Sequence, residues 1–382
     1  MTKYERIVRQ ARFEPVDRIP TLGGWINGAV HLQELSGLTQ EAFWKDAWTG
    51  SLTAYRNLDV DGMLGHIVPR SQDTIRQGYI LERDQAHHSA DEVLAYAESR
   101  PDDAEIRAKF DPEAYYREQV AHLESVQARY GDIQWMPARW DCSATFGWYG
   151  TFGYGAYYEA VALYPEAVER MYRASAVAAR LRNEVLARVY TDLNRPPLIM
   201  SGDDICDNNG PMVSPAFLRT HYFKWLKYSL EPLVDAGIRM ICHCDGNVMP
   251  VIEDFLACGF GGFQGFQEEL GVHLSDLVKL RTVKGERLVF FCGMNITRTL
   301  PWGDTQDVMN DVEYVVDVTD GGKGLFLFPA NVINPEVPTE NIRIAYEHAR
   351  NYTSDYATAP ANRKLEWPYG VKTGELISAR IF

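Results

Sequence analysis

The chain has 382 residues, 46% of them hydrophobic and 24% charged, the balance of a globular protein with a large core. Its net charge of −14 argues against nucleic acid as a partner, since a phosphate backbone calls for a basic face. No run reaches the roughly 18 uninterrupted apolar residues of a membrane helix, and no basic cluster suits an anionic membrane surface.

The start, MTKYERIVRQARFEP, reads as a charged helix rather than a signal peptide. RIPTLGG (18–24) reads as a first strand, because Pro15 and Pro20 exclude a helix. A helix follows over TQEAFWKDAWTGSLTAYRNL with Thr39 as its N-cap, then a strand in GMLGHIV (62–68). Residues 78–89 are polar and read as a hairpin decorating the mouth of the fold. Helical patterns cover 91–98 and 112–128.

IQWMPARW (133–140) is the next expected strand. It leads into DCSATFGWYGTFGYGAYYEA, where Trp148, Tyr149, Phe152, Tyr154, Tyr157 and Tyr158 alternate with four glycines. Glycine lets backbone bend sharply and aromatic rings make stiff apolar walls. The passage is expected to be a ligand-facing loop over the mouth, with structural packing as the alternative.

A long amphipathic helix spans 165–190, and PPLIMSGDDI (196–205) is a strand ending in Asp203 and Asp204. Ser214 and Pro215 open another helix. IRMICHCDGN (238–247) is a buried strand whose polar end carries His243, Asp245 and Asn247, and it opens into an apolar helix. Strand FGGFQGF, helix HLSDLVKLRTVKG, strand RLVFFCG, helix TQDVMNDVEYVVDVTDGG, strand GLFLFP and helix TENIRIAYEHARN (339–351) complete the alternation. The tail (352–382) is expected to lie on the body or at a subunit interface, which leaves a homodimer open. Six scattered cysteines without a CxxC pair point to a reducing, cytoplasmic compartment.

About eight strands alternating with helices predict a parallel sheet, because crossovers of this length join parallel strands. No dinucleotide or phosphate-binding fingerprint follows any strand. A single α/β domain over 1–382, an eight-stranded (β/α)8 TIM barrel with an N-terminal extension, therefore fits best. Barrel chemistry sits at the C-terminal mouth, where this pattern gathers Trp25, Asn27, His66, Arg139, Asp141, Asp203, Asp204, His243, Asp245, Gln264, Gln267, Cys292 and Asn331.

The expected catalytic residues are His243, Asp203, Asp204 and Asp245. A crowded carboxylate becomes a base or a metal ligand, or else caps the backbone at a strand end. His243 with Asp245 could hold zinc, although an H-x-D spacing is common and turn stabilisation explains it equally. Trp25, Asn27, Arg139, Trp148, Tyr149, Tyr154, Gln264, Cys292 and Asn331 are the expected substrate-binding residues.

The run from SGDDICDNNGPMVSP through CHCDGNVMPVIEDFLACGFGGF resembles the C-terminal half of the uroporphyrinogen decarboxylase superfamily. INPEVPTENI is similar to its closing motif and ARFEPVDRIP to its opening. The resemblance covers most of the chain and implies the same (β/α)8 barrel. True uroporphyrinogen decarboxylases hold a tetra-acidic substrate with a paired-arginine motif, and here that place reads RIPTLGGWINGAV.

The other branch comprises cobalamin-dependent methyltransferases. In its coenzyme M enzymes, zinc is held by an H-x-C pair and a later cysteine. His243 matches that histidine, but Asp245 stands at the first cysteine position and Asn331 near the second. The resemblance therefore implies a methyltransferase of a corrinoid-dependent demethylation system, with the corrinoid on a partner protein and a small methylated compound as substrate. A decarboxylase of a small or cyclic acid, with Arg139 holding the carboxylate, is the alternative. A non-catalytic binding barrel is the third.

Overall fold

Short apolar runs bounded by glycine and proline cannot pay the nucleation cost of a helix and pair instead as strands. The computed structural model describes residues 1–70 and 88–353. Ten strands occur among them: β1 (Leu22–Gly23), β2 (Gly62–Met63), β3 (Gln134–Trp135), β4 (Leu198–Gly202), β5 (Cys206–Asp207), β6 (Gly210–Pro211), β7 (Arg239–His243), β8 (Phe260–Gln264), β9 (Val289–Met294) and β10 (Leu325–Pro329).

A curled, parallel five-stranded sheet has the order β10-β9-β8-β7-β4, and a parallel three-stranded sheet has the order β1-β2-β3. β5 and β6 form a small antiparallel hairpin beyond β4. The two parallel sheets meet through isolated bonds: Thr21 bridges Leu327 on one side, and the Arg139 amide donates to the Met200 carbonyl at 2.8 Å on the other. The expected single continuous ladder is thus a half-barrel sheet facing three two-residue strands. Pro20 and Pro137 supply no N–H, and Gly24 has φ of 120°, which interrupts the regular pairing of β1 and β3.

Side-chain alternation sorts the core into layers. Leu198, Met200, Ile241, Val289, Phe291, Phe326 and Phe328 face one interior, which Ile7 and Ala11 of the first helix (Lys3–Ala11) join. Met240, Cys242, Phe290, Cys292, Leu325 and Leu327 face the helical layer. In that layer Pro165–Asp192 packs on Phe223–Asp235, where Asn183 donates to the Ser229 carbonyl at 2.7 Å. At the opposite end of the strands, the fully buried Asp61 carboxylate accepts from Arg6, Arg18 and the Thr21 amide.

Several elements differ from expectation for local reasons. The helix expected from Thr39 is two, Gln40–Lys45 and Ala47–Asn57, because the Asp46 side chain caps the second by accepting from the Thr49 amide. The helix expected over HLSDLVKLRTVKG forms only at Leu274–Leu277. The aromatic passage is irregular only as far as Trp148: Tyr149–Phe152 and Tyr154–Leu163 are helical, hinged at Gly153, which sits at φ 79°. The expected hairpin at 78–89 falls almost wholly on residues 71–87, and the tail beyond 353 likewise lies outside the described residues.

Candidate active site at the strand ends

β7 ends at His243, a residue 7% exposed whose ring lies on the same side of the strand as Ile241. The ring lies edge-on to Trp25, with centroids 5.7 Å apart, and to Trp140 at 5.3 Å. Gln264, at the end of the neighbouring β8, contacts Nδ1. Its amide nitrogen donates to the carbonyls of Pro329 and Ala330, at 2.9 and 2.8 Å. The amide oxygen must therefore be the atom facing His243, so Nδ1 carries the proton. Nε2 is left for the other side of the ring.

On that side stand two carboxylates. Oδ1 of Asp204 is 3.6 Å from Nε2 and Oδ1 of Asp245 is 3.9 Å away. One ligand atom from each of Asp204, His243 and Asp245 lies within 4.8 Å of the other two. Secondary contacts hold the carboxylates in place. Asp204 accepts from the Asp245 amide at 2.9 Å, and Asn331 donates its side-chain amide to Oδ2 of Asp245.

Two glycines permit this closeness. A Cβ on Gly202 would lie 2.2 Å from the His243 carbonyl oxygen. One on Gly265, at φ 87°, would lie 2.8 Å from Nδ1 of His243 and 3.0 Å from Asp245. Backbone from β4 and β8 passes His243 where no side chain fits.

The charges interact strongly. Burial would depress the His243 pKa, but Asp245 and Asp204 outweigh it and the net direction is upward. Burial pushes Asp245 up to about 6, opposed by His243 and reinforced by Asp204.

The expected site residues divide. His243, Asp204, Asp245, Gln264, Asn331 and Trp25 converge. Tyr149 reaches the group through its hydroxyl, which donates to the Asp204 carbonyl at 2.9 Å, and Tyr154 stacks on Tyr149 at 4.7 Å. Asp203 points elsewhere: its Oδ2 accepts from the amides of Phe146 and Gly147, at 2.8 and 2.7 Å, and so ties down the start of the aromatic segment. Burial raises its pKa to about 6.

Arg139 is engaged by Asp141, Gln119 and Tyr115. Cys292 faces the helical layer, opposite in parity to Phe291, and does not join His243. Trp148 packs against Tyr96, and Asn27 bonds Asn334. His66 pairs with the Tyr130 hydroxyl, and Gln267 accepts from the Gly246 amide. All six cysteines are buried free thiols.

Trp140 is the site residue that sequence reasoning passed over, although it lies between Arg139 and Asp141. A 3-10 turn at Trp140–Cys142 rotates its ring over His243 while leaving it 46% exposed. Strand alternation stops at such a turn, so periodicity could not show which neighbour faces the mouth.

A comparison with protein-family models finds no match, and neither does one with curated protein sequences. Solved structures do match. The chain has the fold of a known methyltransferase. That protein, from Methanosarcina mazei, aligns with a TM-score of 0.56 over 91% of this chain and 98% of the other, at 16% identity. At that identity the likeness is one of fold. No helix among the described residues is long and apolar enough to cross a membrane.

Proposed function

We propose that this chain is a methyltransferase of a corrinoid-dependent demethylation system, acting on a small methylated compound at the His243 cluster. The observation that carries the reading is the convergence of Nε2 of His243 with Asp204 and Asp245 at the strand ends of a fold shared with a methyltransferase. The reading takes the chain as a (β/α)8 barrel of the uroporphyrinogen decarboxylase superfamily. The parallel strand order and the bonds joining the two sheets support that assignment.

Removing a methyl group from oxygen, nitrogen or sulfur leaves charge on the heteroatom, and a proton or Lewis acid must meet it there. His243 is built for the first role. Gln264 orients the ring, and the two carboxylates favour a proton at Nε2, the atom turned toward the mouth. General acid help of this kind contributes typically about 10²- to 10⁴-fold.

The same three residues fit a divalent ion such as zinc. A neutral imidazole with its tautomer fixed by Gln264 and two carboxylates supply a borderline-to-hard donor set. Bound there, the ion would supply Lewis acidity to the heteroatom. A soft, thiolate-rich site does not fit, because Asp245 and Asn331 occupy the positions where cysteines would stand. The corrinoid, carried by a partner protein, is the other station of the methyl group. The exposed rings of Trp140 and Tyr154 flank the approach to the cluster.

Arg139 favours methyl transfer over decarboxylation, since the residue expected to anchor a carboxylate is already committed to Asp141, Gln119 and Tyr115. The experiment is a panel of O-, N- and S-methyl compounds incubated with the protein and reduced cobalamin, followed by the absorbance of methylcobalamin. Demethylation that needs both protein and cobalamin, and falls at least 100-fold in His243→Ala, is expected. Carbon dioxide release from carboxylic acids without any corrinoid would replace this reading with decarboxylation.

A further inference from the structure

A hollow opens behind β9, between the sheet and the helix Thr305–Val318. Phe266, Met294 and Val315 form apolar walls, and Gly265, Cys292 and Asp311 are among the other residues that line it. Gly265 also borders the His243 cluster, but Asp204, His243 and Asp245 do not line the hollow.

Asp311 is the unusual member. Its side chain comes from the helix into the hollow, the residue is only 6% exposed, and Oδ2 has no hydrogen-bond partner. A buried carboxylate oxygen left in this state is costly unless a ligand meets it. The nearby acids are already satisfied. Glu268 accepts from the Tyr314 hydroxyl, the Leu274 amide and His273, each at 2.7 Å. Glu269 accepts from Asn295 and Thr297. No lysine or arginine lines the hollow.

The chemistry of an occupant follows. The surroundings carry three carboxylates, which excludes an anion and favours a cation. The single open acceptor suits an N–H donor, and the apolar walls suit a short alkyl group. The three acids are not a metal site: Asp204, His243 and Asp245 are the one cluster among the described residues whose ligand atoms lie close enough for that. We propose that this hollow binds a small organic ammonium ion, with Oδ2 of Asp311 accepting its N–H and Phe266, Met294 and Val315 enclosing its alkyl group. The inference stands independently of the proposed methyl transfer.

Calorimetric titration of the full-length protein at pH 8, where Asp311 is ionised, with ethylammonium chloride and with ethanol as the neutral isostere, tests it. The expected result is saturable ethylammonium binding, with ethanol at least tenfold weaker. Asp311→Asn, which keeps the shape and removes the charge, is expected to weaken ethylammonium at least tenfold without lowering the melting temperature. Val315→Phe fills the hollow and is expected to abolish binding in a folded protein. His243→Ala is expected to bind normally, which separates this site from the catalytic cluster.

Absence of saturable ethylammonium binding, equal affinity for ethanol, or undiminished binding in folded Asp311→Asn or Val315→Phe would overturn the proposal. So would loss of binding in folded His243→Ala, which would place the ion at the cluster instead.

Discussion

The hydrogen bond between Gln264 and Nδ1 of His243 has its direction set from a third strand. Because Pro329 and Ala330 at the end of β10 take both amide hydrogens of Gln264, only its oxygen can meet the ring. One side-chain amide thus fixes the tautomer of the histidine and hands Nε2 to Asp204 and Asp245.

Gln264→Leu breaks that chain of orientation. The ring gains freedom to turn, and two carbonyls at the end of β10 lose their donor. Divalent-ion affinity is expected to fall about 10- to 100-fold, as for other ligand-orienting partners. Stability should drop by about 1–3 kcal/mol for each buried acceptor left unmet. Zinc titration and urea unfolding read the two effects separately, and a variant with unchanged zinc affinity would show that Gln264 does not orient the ring.

If Asp204, His243 and Asp245 hold a metal, protein purified without chelators should contain one divalent ion per chain. His243→Ala and Asp204→Ala should each lose it, while Asp203→Asn should keep it, because Asp203 bonds backbone amides away from the cluster. Elemental analysis of the four proteins decides the matter. Metal-free wild-type protein with full activity would leave His243 as a proton donor alone.

Asp203 is expected to act through the aromatic segment. Asp203→Ala leaves the Phe146 and Gly147 amides without an acceptor, a loss on the order of 2–4 kcal/mol. Those amides should exchange with solvent at least tenfold faster, as hydrogen-exchange mass spectrometry of the 144–152 peptide would show. Asp203→Asn retains an acceptor oxygen and should lose less. Gly147→Ala should resemble Asp203→Ala, because its Cβ would lie 2.6 Å from Oδ1 of Asp203.

Asp311 carries a pH signature. Burial raises its folded pKa from 3.8 to about 7, with Glu268 and Glu269 adding to the shift and the Thr299 hydroxyl and Asn295 amide opposing it. The folded state therefore keeps a proton that the unfolded chain releases near pH 4. The stability this confers is present at low pH and is lost as the pH rises through the folded pKa. Asp311→Asn should match wild type near pH 4 and exceed it by up to roughly 4 kcal/mol at pH 8. Parallel denaturation curves at pH 4 and pH 8 check this, and a constant difference between the two would remove buried ionisation as its cause.

Much of the architecture is legible in local pattern. Apolar runs such as LVFFC, followed by Gly293, and LFLF, set between Gly324 and Pro329, mark β9 and β10, and the strands end close to where polar residues begin. Ser214 with Pro215 marks a helix start that forms as expected. The aromatic segment misled because its glycines suggested a loop, whereas burial of Phe152, Ala156, Tyr157 and Ala160 on one face holds it helical. Cys292 misled because it stands at a strand end, yet its parity turns it to the helices.

The order of residues alone determined which runs would pair as strands and which polar groups would stand at their ends, since both depend on periodicity and punctuation within a few positions. Tertiary structure decided what those ends do. It separated Asp203 from Asp204, turned Trp140 over His243, and brought Asn331 to Asp245 from 86 residues away. Such outcomes depend on the rotation of turns and on which strand ends become neighbours, and neither leaves a repeating mark along the chain.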